Sequence, residues 1–347
     1  MRRELAAAGA FDPRPTTGWI KFICMLAACA AITAVIVVAP WWVAVFAVPL
    51  AAIPAASAAM IGHEAAHGSF SRSKRQNALM LHLAFPLLTG LGASHWKNKH
   101  NHLHHSHPNV PGTDADIEIW PFAATAEDYA QAGRVRRFMQ RSLQPYLFWP
   151  LTLFLAFFMR YDSVRYLVTH IRRRGLARSA AVDATCIAAH YTLWLIVPSL
   201  WFGALSVIAF YVALWAVVGL FLAMIFSPAH MGLPFIPGHR DKWLHQLETT
   251  RNLRMPRWLS WLVIGLDHQV EHHLFPQIPH SQMTRAQPII ERWCREHGAP
   301  YQQVGYAAGL VDVTRFLATS WRYDPEAPRP EPLGTAADVR VAQANHD

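Results

Sequence analysis

Four long apolar runs, 19–38, 41–61, 182–202 and 204–226, limit what this 347-residue chain can fold into more than any other feature. Each has about the 20 residues that a helix needs to cross roughly 30 Å of hydrocarbon. In that medium each backbone N–H and C=O must be satisfied within the protein, so isolated runs of this length are read as helices. The first pair turns at Ala39-Pro40 and the second near Gly203, and neither turn carries a charge. The expected fold is therefore an all-α integral membrane protein with four transmembrane helices in two hairpins. The first run is too long for the apolar core of a secretory signal, so it is read as a retained span.

The charge pattern orients these spans. Only 15% of residues are charged and 53% are hydrophobic, against about 25% charged in an average soluble domain. The net charge of +9 is not spread along a polar helix face that would suit nucleic acid. It gathers at Arg2, Arg3, Arg14 and Lys21, then at Arg72, Lys74, Arg75, Lys97, Lys99 and Arg172–Arg174, then at Lys242, Arg251 and Arg254. By the positive-inside rule these segments and both termini are cytoplasmic. Two shorter runs, 78–93 and 147–159, are marginal for a span and are read as interfacial or re-entrant helices. Residues 1–18 are expected to be a flexible cytoplasmic amino end and 19–322 the membrane domain. Residues 323–347, Pro-rich and polar, are expected to be a disordered cytoplasmic tail. Cys24, Cys29, Cys186 and Cys294 have no zinc or disulfide spacing and are read as packing residues.

The chain has 20 His, and they cluster. The first cluster, Gly62-His63-Glu64-Ala65-Ala66-His67-Gly68, closes the second run. His63 and His67 are i,i+4 and share a helix face. The second, Lys97-Asn98-Lys99-His100-Asn101-His102-Leu103-His104-His105, lies in the first long segment between hairpins. On an α-helix His100 and His104 share a face while His105 is offset by about 100°, so one helix can serve two metals. The third, Asp267-His268-Gln269-Val270-Glu271-His272-His273, follows the fourth run, with Gln269, His272 and His273 at i, i+3, i+4. An even number of spans separates the clusters, so all three face one side, where a cytoplasmic helical cap can join them. His230, at the end of the fourth run, is either a further ligand or an interfacial hydrogen-bonding residue.

Eight or nine imidazole candidates exceed the four ligands of a structural zinc and suit two metals with open positions for oxygen. Glu64, Glu271, Asp114, Asp116 and Asp267 are candidate acids to orient ring N–H groups. His63-Glu64-Ala65-Ala66-His67 also fits the H-E-x-x-H pattern of zinc proteases, with Glu64 as base. That reading leaves the second and third clusters unused.

At these residues the chain resembles the membrane fatty-acid desaturase family, over roughly residues 40–300. The family's three histidine boxes read here as His63…His67, His100…His104-His105 and Gln269…His272-His273. The flanks are similar too: Trp96-Lys97-Asn98-Lys99-His100-Asn101, Gly112-x-Asp114-x-Asp116, and His272-His273-Leu274-Phe275-Pro276. The resemblance implies two iron ions, O2 as co-substrate, and removal of two hydrogens from a fatty acyl chain. It implies His63, His67, His100, His104, His105, His272 and His273 as iron ligands, with His230 as an additional one. Gln269 holds the first third-box position, as in front-end desaturases, and His268 beside it is an alternative ligand. His102 and His107 fall outside the implied set. The substrate is expected to be an acyl-lipid, acyl-CoA or acyl-ACP. With no His-Pro-Gly-Gly haem motif, no fused cytochrome b5 domain is expected. Electrons would come from a separate donor such as ferredoxin or cytochrome b5 with its reductase. Hydroxylase, acetylenase and carotenoid oxygenase reactions share this kind of site.

Overall fold

The computed structural model describes residues 1–236 and 241–325. From residue 326 onward, the expected tail lies outside the described residues. The described chain is helical almost throughout. In order it forms α1 (Arg2–Ala7), α2 (Pro15–Val38), α3 (Trp41–Ala66), α4 (Lys74–His82), α5 (Ala93–Trp96), α6 (Ala126–Ala130), α7 (Arg134–Ser142), α8 (Gln144–Leu151) and α9 (Leu155–Arg174). Then come α10 (Arg178–Tyr191), α11 (Val197–Phe202), α12 (Ala204–His230), α13 (Lys242–Thr249), α14 (Arg257–Leu262), α15 (Gln269–Leu274), α16 (Met283–Glu296) and α17 (Tyr306–Thr319). Wider π-helical turns, Leu83–Leu87, Lys97–His104 and Thr192–Ile196, prolong α4, α5 and α10.

Four helical stretches are long and apolar enough to cross a membrane: Pro15–Val38, Trp41–Ala66, Arg178–Phe202 and Ala204–His230. They are not equivalent. The apolar window of α3 is 61% buried and that of α12 is 39% buried, against 11% for α2 and 22% for the α10–α11 stretch. The buried face of α3 is built from Ala51, Ala52, Ala55, Ala56, Ala58 and Ala59. Lipid offers no hydrophobic drive for helix association, so small side chains that let backbones approach make the inner contacts. Gly62 continues this logic: a Cβ there would meet Ala84 and Phe85 at 2.8 Å, so glycine lets the Leu83–Leu87 turn lie on the end of α3.

The run 147–159 falls on α8, a 3₁₀ turn and the start of α9. Between α7 and the stretch Gln144–Arg174 the chain bends by 92°, the geometry of a broken span or re-entrant element.

The amino end departs from expectation. It is a docked helix, with Leu5 and Ala10 fully buried beside Val270, Phe275, Met283 and Ile290. Leu5 on α1 and Ala10 just beyond it enter one apolar cluster with residues of α16. Tyr323 is also tied in: its carbonyl accepts from Ala126 N at 2.8 Å and its hydroxyl accepts from Phe235 N at 3.1 Å. A small parallel pair, β1 (Asn252–Arg254) with β2 (Gln303–Gly305), interrupts the all-α pattern. Strands this short leave no period to read in the sequence.

Candidate metal centre

Helix ends position the histidines. The end of α3 is a Schellman motif, in which Ser69 N donates to Glu64 O at 3.2 Å and Gly68 N to Ala65 O at 3.1 Å. Gly68 takes φ +74°, which a glycine adopts without steric cost. This stop leaves His63 on the last turns and His67 as the cap residue. The second cluster does not stay α-helical. Lys97–His104 is a π-helix, and His105 N donates to His100 O, an i to i+5 bond, at 3.0 Å. Such widened turns recur at functional sites. The wider turn adds to the pairing expected from an α-helix: His100 shares one candidate ligand group with His105 and another with His104 and Asp116.

Among the described residues three overlapping groups of candidate ligand atoms result: two of imidazoles alone, and a third that joins His100 and His104 with Asp116. His63, His67, His100, His105 and His272 form the larger, and His104, His230 and His273 the smaller, with ligand atoms in each group within 4.8 Å of one another. In the larger group Nε2 of His63 and His100 approach to 2.8 Å, and Nε2 of His105 and His100 to 3.2 Å. Two ligands on adjacent corners of a metal with bonds near 2.1 Å stand about 3 Å apart. Trp96 stacks on His100 at 4.5 Å between centroids and fixes its plane.

Burial first, then the neighbouring imidazoles, hold His100, His105, His272 and His273 well below the usual histidine range, and His67 down to about 3. These rings are therefore neutral at physiological pH, the form that binds metals. His104 goes the other way. Burial opposes its charge, but the Asp114 carboxylate outweighs it.

The surroundings fix the ring orientations. His104 Nδ1 donates to Asp114 Oδ2 at 3.0 Å, and Asp114 also accepts from the backbone N of Asn109 and Asp116. His230 Nδ1 donates to Thr249 O at 3.2 Å and His273 Nδ1 to Gln246 Oε1 at 2.9 Å. Each arrangement leaves Nε2 for the centre, and Nε2 of His67, His230, His272 and His273 is buried with no hydrogen-bond partner. A buried polar atom without a partner costs about 1–3 kcal/mol, so this concentration of them fits residues that receive a metal. Neutral imidazole suits iron, copper and zinc. The set fits two metals better than one four-coordinate zinc.

Not every expected residue joins. Gln269 is buried, and its amide nitrogen donates to Leu266 O at 2.7 Å, a bond that does not use the Oε1 atom. His268 lies 3.3 Å from Asp267 and belongs to neither group. Asp267 accepts from Ser260 Oγ at 2.8 Å. Glu271 orients no ring. Fully buried, it accepts from Asn252 at 2.8 Å and Tyr301 at 2.6 Å, which braces α15 against the strand pair. Asp116 does join a candidate ligand group, with His100 and His104, and it pairs with Lys99 at 2.9 Å and lies 3.5 Å from His104. Glu64 Oε2 lies 3.6 Å from Nδ1 of His280. His102 is exposed.

A cavity of about 370 Å³ adjoins the centre, within the size range of small-molecule sites. His63, His100, His104 and His230 lie on its wall beside Met60, Trp96, Leu222 and Phe226. Trp120, also on its lining, is 72% exposed, so the cavity reaches the surface near residues 115–120.

The fatty acid desaturase family model matches residues 39–305, which contain all three histidine clusters. The chain belongs to the fatty acid desaturase family. It is 27% identical to fatty acid desaturase 3 of Bos taurus over 81% of its own length, and spans 62% of that protein. It is 26% identical to a Delta(8)-fatty-acid desaturase of Euglena gracilis over 94% of its length and 79% of the relative. A Delta(5) fatty acid desaturase of Caenorhabditis elegans is 25% identical over 73% of this chain and 59% of the relative.

Against the family's histidine boxes, the structure adds residues that one sequence does not single out. Gln246 and Thr249 of α13 anchor the smaller group, and Asn109 Nδ2 donates to His230 O at 3.1 Å. Gln246 also donates to His105 O at 2.8 Å, so a single side chain touches both groups. His280 packs beside His63 and His272. None has a spacing motif. They meet the site only through packing of α12, α13 and the segment after α15.

Proposed function

We propose that this protein introduces double bonds into fatty acyl chains, using O2 and a pair of irons held by the two histidine groups. The observation that carries this reading is their adjacency. Two sets of buried and half-buried imidazoles lie side by side, and four of their members also wall an apolar cavity. A bound iron pair would supply the oxidising power to remove hydrogens from unactivated CH2 groups. The chain's own residues do the rest. Met60, Leu222 and Phe226 offer apolar contacts that hold an acyl chain beside His63, His104 and His230 and exclude water. Asp114, Gln246 and Thr249 hold Nδ1 protons so that Nε2 of His104, His273 and His230 faces the metal. His63, His67, His100, His105 and His272 are assigned as ligands of one iron, and His104, His230 and His273 of its partner. The single-zinc protease reading leaves the smaller group unused.

The four spans are assigned to two hairpins, with both termini and the metal centre cytoplasmic. The Lys/Arg distribution supports that side. A separate donor, a ferredoxin or cytochrome b5 with its reductase, would supply electrons. Acyl-lipid, acyl-CoA and acyl-ACP are the candidate substrates.

The test is expression with such a donor and mass spectrometry of total lipids. A product two hydrogens lighter sustains the proposal, and an added oxygen replaces it with a hydroxylase. Purified protein holding one zinc and no iron would sink both.

A further inference from the structure

Another imidazole, from farther along the chain, packs beside the larger group without belonging to the set of ligand atoms within 4.8 Å of one another. His280 opens the short turn His280–Gln282 after α15 and is 7% exposed. Its ring centroid is 5.5 Å from that of His63 and 5.7 Å from that of His272, nearly parallel to the latter at 25°. Both ring nitrogens are buried with no hydrogen-bond partner. Glu64 Oε2 lies 3.6 Å from Nδ1. The backbone is held close as well: a Cβ at Gly265, which has φ +75°, would meet His280 O at 3.1 Å.

We propose that His280 is a metal-coordinating residue of the larger group and supplies the imidazole that Gln269 does not. This rests on the metal reading above. With Nδ1 turned to Glu64, Nε2 is left for the metal. The order carboxylate, imidazole, metal is the one set up at Asp114 and His104. A residue needed only for packing would be served by Leu or Phe, with no stranded nitrogens. Glu64 thereby acquires a role as the positioning residue for His280.

The test uses the full chain purified in detergent, stripped with chelator and reloaded with iron or cobalt. His280→Ala should retain metal at one site at least about 10-fold more weakly than wild type, with unchanged helix content and elution. Added imidazole should restore that retention. Glu64→Gln should weaken it about 10-fold. His280→Cys, loaded with cobalt, should gain a thiolate-to-cobalt charge-transfer band absent from the cobalt wild type, whose own cysteines serve as the background. Such a band requires direct coordination, which a packing role would not produce. The inference is overturned if His280→Ala binds both metals with wild-type affinity, or if cobalt-loaded His280→Cys shows no such band. A wild type that binds neither iron nor cobalt would overturn the metal reading itself, and this inference with it.

Discussion

In the smaller histidine group, His104, His230 and His273 each have Nδ1 fixed, on Asp114, Thr249 O and Gln246. In the larger group, Nδ1 of His63, His105 and His272 has no hydrogen-bond partner, and Nε2 atoms crowd against each other instead. The protein preorganises one half of the centre through α13 and Asp114. The other half is shaped by helix ends and by what it binds. On the proposed metal reading, ligand orientation costs little at the smaller group, whereas in the larger group only His100, stacked on Trp96, has its ring plane set beforehand.

The largest effect should break both halves alike. His104→Ala and His272→Ala should each lower product formation by more than about 100-fold, read by lipid mass spectrometry. Wild-type turnover in either would contradict the ligand assignment. Chelation should then separate the halves. In hydrogen exchange, protection should fall at residues 63–67 and 97–105 more than at α13, because only the larger group lacks anchors of its own. Equal loss in the two regions would erase the distinction.

Gln246→Leu should weaken metal binding about 10–100-fold, chiefly at the smaller group, as measured by titration of chelated protein. An unchanged isotherm would show that the Gln246 contact does not orient His273. For acidity, the linkage sign follows from His67, held down to about 3 from 6.5. Between those values the unfolded chain binds a proton that the folded one refuses, so the chelated protein should lose stability as pH falls through that window. His104 opposes the trend because Asp114 raises it. Denaturation midpoints that do not fall over this range would show that the rings are not dry. The smallest effect is expected at Gly68→Ala, about 1 kcal/mol in denaturant unfolding, because the Schellman turn needs φ +74° there.

The sequence by itself determined the spans, because hydrocarbon thickness imposes a length that no other element needs. It also determined the clusters around His63, His100 and His272, because ligands on one short segment leave a local spacing. Tertiary structure decided which nitrogen joins which group. The π-turn at Lys97–His104 brings His105 to His100 and sets His104 between His230 and His273 on one side and His100 and Asp116 on the other. Backbone hydrogen bonding, not residue type, makes that choice. Tertiary structure also assigned the acids: Asp114 to His104, Glu64 towards His280, and Glu271 to a brace between α15 and the strand pair. A carboxylate's partner depends on which segments pack across from it. The sequence marks the acid but does not carry the distance.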